Sequence, residues 1–437
     1  MHVRSDNQED KGQSRKVDCL PKVLHYVHDA LPAQNGYAIR THYIVANLQR
    51  MGYMPGVCTC PSFKGQGSNT GVGDNEAYLV KDDVPYFGIR PEIFRDSRVY
   101  PIVRVLSERR IRGMTRLRRN LEWRMYDSWV SRVYGKPDIL HAHSPEQSAF
   151  EALSLARRWR VPLVYEVRGF WRLSLAACDG TTVDVAEATH GDVRAGGKAN
   201  HVVAICKGIA DVLVQGGIPP GKIDIVPNGV DTSAFRPLNR DEQLAREIGI
   251  DGKLVYGYAT NVRRLEGIQD VVKAWKEVTK ILPDAVFLLI GNGKYMDVLK
   301  ELVREKGVGD TFRLLGRVPH AEMRAYYSLL DVFVVPRIPE PVCHIVTPLK
   351  PLEAMAMGIP VVASDVSALR EMVQDGETGV LFEAGNSDSL AATCIEVGKD
   401  ARLRRELSLK ARQWVEKERE WAVVTCLYSS IYESLVR

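Results

Sequence analysis

Cysteine is scarce in this chain and poorly placed for cross-linking. The eight residues are spread from Cys19 to Cys426, and only Cys58 and Cys60 lie close together, with no second pair to complete a tetrahedral site. Neither structural zinc nor a disulfide scaffold is expected, and a reduced, cytoplasmic setting follows. The first 18 residues are hydrophilic and lack the apolar core of a signal peptide. No apolar run approaches the roughly 20 residues needed to span a bilayer. Charge of one sign is not in excess either. Against 54 acidic residues stand 59 lysines and arginines, and the net charge of +5 is too small to mark a nucleic-acid binder.

What remains is a long and ordinary globular composition. With 437 residues, 45% of them hydrophobic, the chain can bury a large interior divided over two or three domains. Residues 1–18 read as a disordered tail, and the glycine-rich polar stretch 64–75 as a mobile surface loop. The apolar run Lys22–Val27, the helical pattern opening at Gly36-Tyr37 and closing near Gly52, and the runs 139–143, 162–167, 201–205 and 223–226 alternate strand with helix. A second series starts after Pro237, with runs at 254–258, 286–291, 312–315 and 332–335 separated by helical patterns. Repeated βα alternation predicts doubly wound parallel sheets, and two such series predict α/β domains facing a cleft. We expect a first domain over 19–232, a second over 233–418, and a C-terminal helix over 419–437 returning to the first domain. In the last stretch Trp414, Val423, Val424, Leu427, Tyr428, Ile431, Tyr432 and Leu435 supply an apolar face.

The segment Thr347-Pro348-Leu349-Lys350-Pro351-Leu352-Glu353-Ala354-Met355-Ala356-Met357-Gly358 is the richest in chemistry. A lysine-bearing loop turns into a helix with a carboxylate in its first turn. Backbone N–H groups at a helix start attract phosphate, and an acidic side chain nearby can accept hydrogen bonds from paired hydroxyls. The same residues also read as a capped helix that buries Leu352, Met355 and Met357, so other segments must decide.

Six pieces in order do so: Gln34-Asn35-Gly36-Tyr37, Asp138-Ile139-Leu140-His141-Ala142-His143-Ser144, Val226-Pro227-Asn228-Gly229-Val230-Asp231, Leu289-Ile290-Gly291-Asn292-Gly293, Leu330-Asp331-Val332-Phe333-Val334-Val335-Pro336 and Leu352-Glu353-Ala354-Met355-Ala356. Together they resemble the retaining glycosyltransferases of family 4 (group 1), which have the two-domain GT-B fold. Arg40, the run Tyr165-Glu166-Val167-Arg168 with Phe170-Trp171, and the 347–353 segment resemble an exopolysaccharide-associated branch.

The resemblance implies a nucleotide-sugar in the second domain, such as a UDP- or GDP-hexose, and a glycan or lipid-linked acceptor on the first. No cofactor is implied. By position, Glu353 would hold the ribose hydroxyls, while Arg263 or Arg264 and Lys350 would neutralise the diphosphate. Gly36, beside Tyr37, would let backbone approach the leaving phosphate. His143 would face the reacting sugar; Gly291, Asn292 and Thr347 would line the donor site. The implied reaction is a front-face substitution that needs no protein base, resting on positioning and charge. No Asp-x-Asp pair occurs anywhere, which fits a metal-independent site.

Two departures stand out. The family's glutamate eight residues before Glu353 is here Ile345, leaving His344 or Glu340 as substitutes. Glu266 occupies the place of the usual lysine before Gly267, which shifts the diphosphate charge onto Arg263 and Arg264.

His141 and His143 share strand parity and therefore one face. Glu166 and Arg168 share a face too, and with Arg40 they read equally as an acceptor-binding set or as an internal ion pair. Nine arginines between Arg104 and Arg132, interleaved with apolar residues, read equally as a peripheral surface for anionic lipid at the inner face of a membrane or as a solvated helix. A sugar-nucleotide 2-epimerase of the same fold and an inactive nucleotide-sugar-binding module are the alternatives. A nicotinamide dehydrogenase is disfavoured, because Gly291-Asn292-Gly293 lacks the third glycine of that fingerprint.

Overall fold

The computed structural model describes residues 20–31, 33, 35–59, 78–87, 105, 114–319 and 321–436. The N-terminal tail, the 64–75 loop and the arginines from Arg104 to Arg112 lie outside the described residues. Two sheets organise the chain. The first has eight strands in the order β3-β4-β2-β1-β5-β6-β7-β8. These are β1 Lys22–Val27, β2 Met54–Thr59, β3 Tyr78–Lys81, β4 Val84–Phe87, β5 Ile139–His143, β6 Leu163–Val167, β7 His201–Ala204 and β8 Ile223–Ile225. All its pairings are parallel except β3 with β4. The second has six strands, all parallel, in the order β11-β10-β9-β12-β13-β14. They are β9 Leu254–Ala259, β10 Ala285–Ile290, β11 Phe312–Gly316, β12 Val332–Val335, β13 Val361–Ser364 and β14 Gly379–Phe382.

Central strands such as β5, β10 and β12 are buried along their whole length, because helices cover both faces of a parallel sheet. In each sheet the strand order reverses beside the first strand of the unit, between β1 and β5 and between β9 and β12. The carboxyl ends at such reversals leave a crevice, and the two crevices face one another.

Residues from both halves meet at the base of this gap. The helix Lys207–Gln215 points its N-terminus at Glu371, whose carboxylate accepts from the Lys207 and Gly208 N–H groups at 3.0 and 3.2 Å. Cys206 Sγ donates to the Ile345 carbonyl at 3.0 Å.

After Ala401–Glu418 the chain crosses back, and Trp421–Val436 packs against the helix Gly36–Arg50. Trp421 stacks on Tyr43 with ring centroids 5.6 Å apart. The buried stripe is Trp421, Val424, Tyr428, Ile431 and Tyr432, whereas Val423 and Leu427 are each 47% exposed. The apolar face read from the sequence is therefore too wide: at 3.6 residues per turn the set from Val423 to Tyr432 spreads over about half the helix circumference, and its Val423 and Leu427 edge is left uncovered. No helix among the described residues is long and apolar enough to cross a membrane.

Candidate active site

A cavity of about 1060 Å³ occupies the gap, with walls from both halves. Its first-half wall is the N-terminus of helix Gly36–Arg50 with Asn35, Tyr37 and Arg40, joined by Arg168 and Gly169 after β6. Asn35 caps that helix, its side chain accepting from Ala38 N–H at 2.9 Å. Opposite lie Asn261 and Arg263 after β9, Asn292 after β10, Arg317 after β11, and the Thr347–Glu353 segment. Among the described residues seven of the lining side chains are cationic (Arg40, Arg168, Arg263, Lys294, Arg317, Arg337, Lys350), against a single carboxylate, Glu353. A cavity with this balance attracts an anion of more than one charge.

Lys350 and Glu353 stand one turn apart on the helix Lys350–Ala356. The ammonium reaches both carboxylate oxygens at 3.0 and 2.9 Å, and the buried Tyr327 hydroxyl donates to Oε2 at 2.8 Å. Glu353 is thereby fixed at the cavity wall with acceptor capacity to spare, since an ionised carboxylate offers about four lone pairs.

The loop after β9 is set by close backbone approaches. Gly267 has φ +75°, and a Cβ there would fall 1.6 Å from the Pro336 carbonyl oxygen; at Gly291, with φ +136°, it would fall 1.8 Å from that of Thr260. Only glycine fits at either position. Glu266, where the family has lysine, turns away from the cavity into a buried network. It accepts from Tyr258 at 2.6 Å and from Arg263 at 3.2 Å, and Arg337 lies 3.5 Å away. Burial alone would raise its carboxyl, but Arg337 and Arg263 hold it below the ordinary range. The acid thus anchors two of the cavity's cations.

Several predicted residues lie elsewhere. Arg264 does not join Arg263 in the cavity; its guanidinium bridges the Ala177 carbonyl at 3.1 Å and Glu340 at 2.8 Å, tying the two halves together. Glu340 is thereby committed. His344 sits against Ser367 at 3.3 Å and is not on the cavity wall, and Ile345 faces Cys206 and Gly208. Gly291 shapes the wall by its backbone path without lining it.

His143 is 1% exposed and lies behind Arg168 instead of at the cavity. Strand register explains the cluster around it: His25 of β1 pairs with His141 of β5, and His143 pairs with Glu166 of β6, so these side chains emerge on one face. Glu166 is fully buried and accepts from Arg40 Nε at 2.9 Å and Arg168 Nε at 2.7 Å, with the Tyr428 hydroxyl donating to its other oxygen. It therefore reaches no ligand, and the pairing resolves as an internal ion pair, with Arg40 and Arg168 alone on the cavity side. Burial would raise Glu166, but Arg40 and Arg168 hold it well below the carboxylate range. Burial, then the Arg168 charge, keeps His143 well below the usual imidazole range; burial and the neighbouring histidines do the same for His25.

The three imidazoles bring ring nitrogens within 4.8 Å of one another. Two arginines against one carboxylate already leave the cluster positive, and a divalent ion would add to that charge in a desolvated place. His25 Nδ1 and His143 Nε2 share a hydrogen bond of 3.0 Å.

Sequence reasoning passed over Lys294, Arg317 and Arg337 in the cavity and His25 beneath it. Asn261, Asn292 and Arg317 each follow the carboxyl end of a strand, which is where such ligand residues gather.

The chain's likeness to known proteins agrees with this geometry. The pattern described as Glycosyltransferase Family 4 matches residues 34–234, and that described as Glycosyl transferases group 1 matches residues 240–414. The chain belongs to the group 1 glycosyltransferases. N-acetyl-alpha-D-glucosaminyl L-malate synthase of Bacillus anthracis is 30% identical over 225 residues, covering 50% of this glycosyltransferase and 56% of that protein. D-inositol 3-phosphate glycosyltransferase of Paenarthrobacter aurescens is 27% identical over 294 residues, covering 66% and 70%. Anabaena HepE, solved with UDP and glucose, superposes with a TM-score of 0.70 at 17% identity, over 95% of this chain and 100% of that one. Sucrose-phosphate synthase of Thermosynechococcus elongatus gives 0.73 at 18% identity, over 95% and 99%. At such identities the likeness establishes the fold, and that fold is GT-B.

Proposed function

We propose that this glycosyltransferase moves a hexose from a nucleotide-sugar to a glycan or lipid-linked acceptor, with retention of anomeric configuration and without a metal ion. The observation that carries the reading is the cavity with seven cations around Glu353. Residues 233–418 serve as the donor half and 19–232 as the acceptor half. Glu353 accepts from the ribose hydroxyls. Lys350 and Arg263 neutralise the diphosphate, with Thr347 and Asn292 as neutral donors beside it. Pro348 has no N–H, which leaves side-chain cations a larger share of the phosphate charge.

As the sugar C1–oxygen bond to the leaving phosphate breaks, the acceptor oxygen attacks from the same face and its proton passes to that phosphate. The chain supplies positioning and charge. Support for the donor class comes from HepE, whose solved complexes hold UDP and UDP-glucose. The exopolysaccharide setting rests on the quoted sequence motifs. The cytoplasmic location rests on the scarce, unpaired cysteines, and contact with a membrane's inner face rests on the nine arginines between Arg104 and Arg132.

A thermal-shift panel of nucleoside diphosphates, then product NMR with the best donor, tests the reading. Stabilisation by one diphosphate and an axial product bond from an axial donor bond support it; inversion, or no nucleotide effect, refutes it. Tight nucleotide binding without turnover would instead favour a binding module, and isomerised nucleotide-sugar without acceptor would favour the epimerase.

A further inference from the structure

On the first half it is Arg168, beside Arg40, that reaches the cavity wall, and not His143. Its guanidinium carries five N–H groups. Nε donates to Glu166, Nη1 to the Tyr37 carbonyl at 2.9 Å and Thr41 Oγ1 at 2.8 Å, and Nη2 to His143 Nδ1 at 2.6 Å. Among the described residues one Nη2–H is left over, on a side chain that forms part of the cavity wall.

Glu166 sits at the centre of this arrangement with no exposed surface. Arg40, its second partner, donates on to the segment linking the two halves, to the Val226 carbonyl at 2.8 Å, the Pro227 carbonyl at 2.7 Å and Asn228 Oδ1 at 3.1 Å, and its Nη2 also donates to the Tyr428 hydroxyl at 3.3 Å. Asn228 Nδ2 donates in turn to the Thr347 carbonyl at 3.2 Å, on the donor side of the cavity. The remaining oxygen of Glu166 is satisfied by Tyr428, which arrives from the far end of the chain on the returning helix.

We propose that Glu166 is the positioning residue for Arg168 and that Tyr428 completes the unit, so that turnover depends on the last helix being docked on the first half. A carboxylate held by one arginine alone would be free to rotate about its end. Three donors on two oxygens fix its plane, and that plane fixes the Arg168 fork. His143 holds the other side of the fork as a neutral acceptor: Nδ1 accepts from Arg168, so Nε2 carries the hydrogen toward His25. The inference rests on the transferase reading above.

Steady-state release of UDP from UDP-glucose, calorimetric affinity for UDP, and melting temperature are measured on the full chain and its variants. Tyr428→Phe removes one hydroxyl. It is expected to lower kcat about tenfold or more with KM and UDP affinity changed less than about threefold. Arg168→Ala should lose turnover comparably and recover several-fold on adding guanidinium chloride, and the same addition should do much less for the Arg168→Ala/Tyr428→Phe double variant. Unchanged kcat in Tyr428→Phe overturns the proposal, as does a kcat loss matched by equal losses of UDP affinity and melting temperature. If Tyr428→Phe does not fold, Arg168→Ala decides: no rescue by guanidinium overturns it. A wild-type chain inert toward every sugar donor sinks the transferase reading itself, whereas an active wild type with indifferent variants sinks this inference alone.

Discussion

Acidification from pH 7 to pH 5.5 should act on two buried sites with opposite sign. His25 and His143 are held neutral in the fold, well below the usual imidazole range, chiefly by burial. Unfolded imidazoles titrate near pH 6.5, so below that pH the unfolded chain binds protons that the folded chain refuses. Stability contributed by these two histidines is therefore present above about pH 6.5 and is lost as the pH falls. Each neutral imidazole costs just over about 1 kcal/mol across this interval, so the pair removes roughly 2–3 kcal/mol. Asp192 works the other way. Burial raises its carboxyl to about 7, although the Tyr165 hydroxyl donates to it at 2.5 Å and pulls it down. Its folded form takes up a proton as the pH drops while the unfolded carboxyl, near 3.9, stays ionised, which adds about 1–2 kcal/mol to stability by pH 5.5. These three groups together should thus cost the wild-type chain only about 1 kcal/mol, and His141 and His42, whose imidazoles burial also lowers, add to the loss in the same direction. Asp192→Asn keeps an acceptor for Tyr165 but removes the offset, and should lose the full 2–3 kcal/mol, roughly. Urea unfolding followed by tryptophan fluorescence at the two pH values measures both. Equal pH dependence in wild type and variant, or a wild type more stable by several kcal/mol at pH 5.5, would refute this assignment of buried charges.

Other perturbations test the cavity and the gap. Glu353→Ala should weaken nucleotide affinity about ten- to hundredfold by removing charge-assisted bonds to the ribose, as read by calorimetry; unchanged affinity would show the ribose to be held elsewhere. Gly208→Ala would place a methyl 2.6 Å from the Ile345 carbonyl oxygen, 0.8 Å inside the 3.4 Å of ordinary contact. It should prise the halves apart at their base, seen as a larger radius of gyration by small-angle scattering, and an unchanged radius counts against the contact. Gly267→Ala, with both a positive φ and a carbonyl 1.6 Å from the new methyl, should cost several kcal/mol or prevent folding, read in the yield of folded protein and its melting temperature. Excess chelator should leave turnover unchanged; loss restored by a divalent ion would defeat the metal-independent reading.

Much of the architecture was legible because a parallel sheet buried on both faces writes itself as short apolar runs separated by helical periods. Lys22–Val27, Ile139–His143 and Ala285–Ile290 are such runs. The hairpin of β3 and β4 was not, since four-residue strands bracketing Asp82-Asp83 carry too few periods to register. At the site, strand parity placed His141 with His143 and Glu166 with Arg168.

The sequence by itself determined the alternation, the pairing of faces along each strand and the stock of cations and acids near strand ends. Only the tertiary structure decided which of those groups meets the cavity. Arg263 and Arg264 are neighbours in an irregular loop, where no period assigns direction, and one lines the cavity while the other bridges the halves. His143 lies on the face that parity gave it, yet that face is covered by Arg168 and by a helix from the far end of the chain. Periodicity fixes where a side chain points. What stands in front of it depends on segments hundreds of residues away, brought there by the packing of one half on the other.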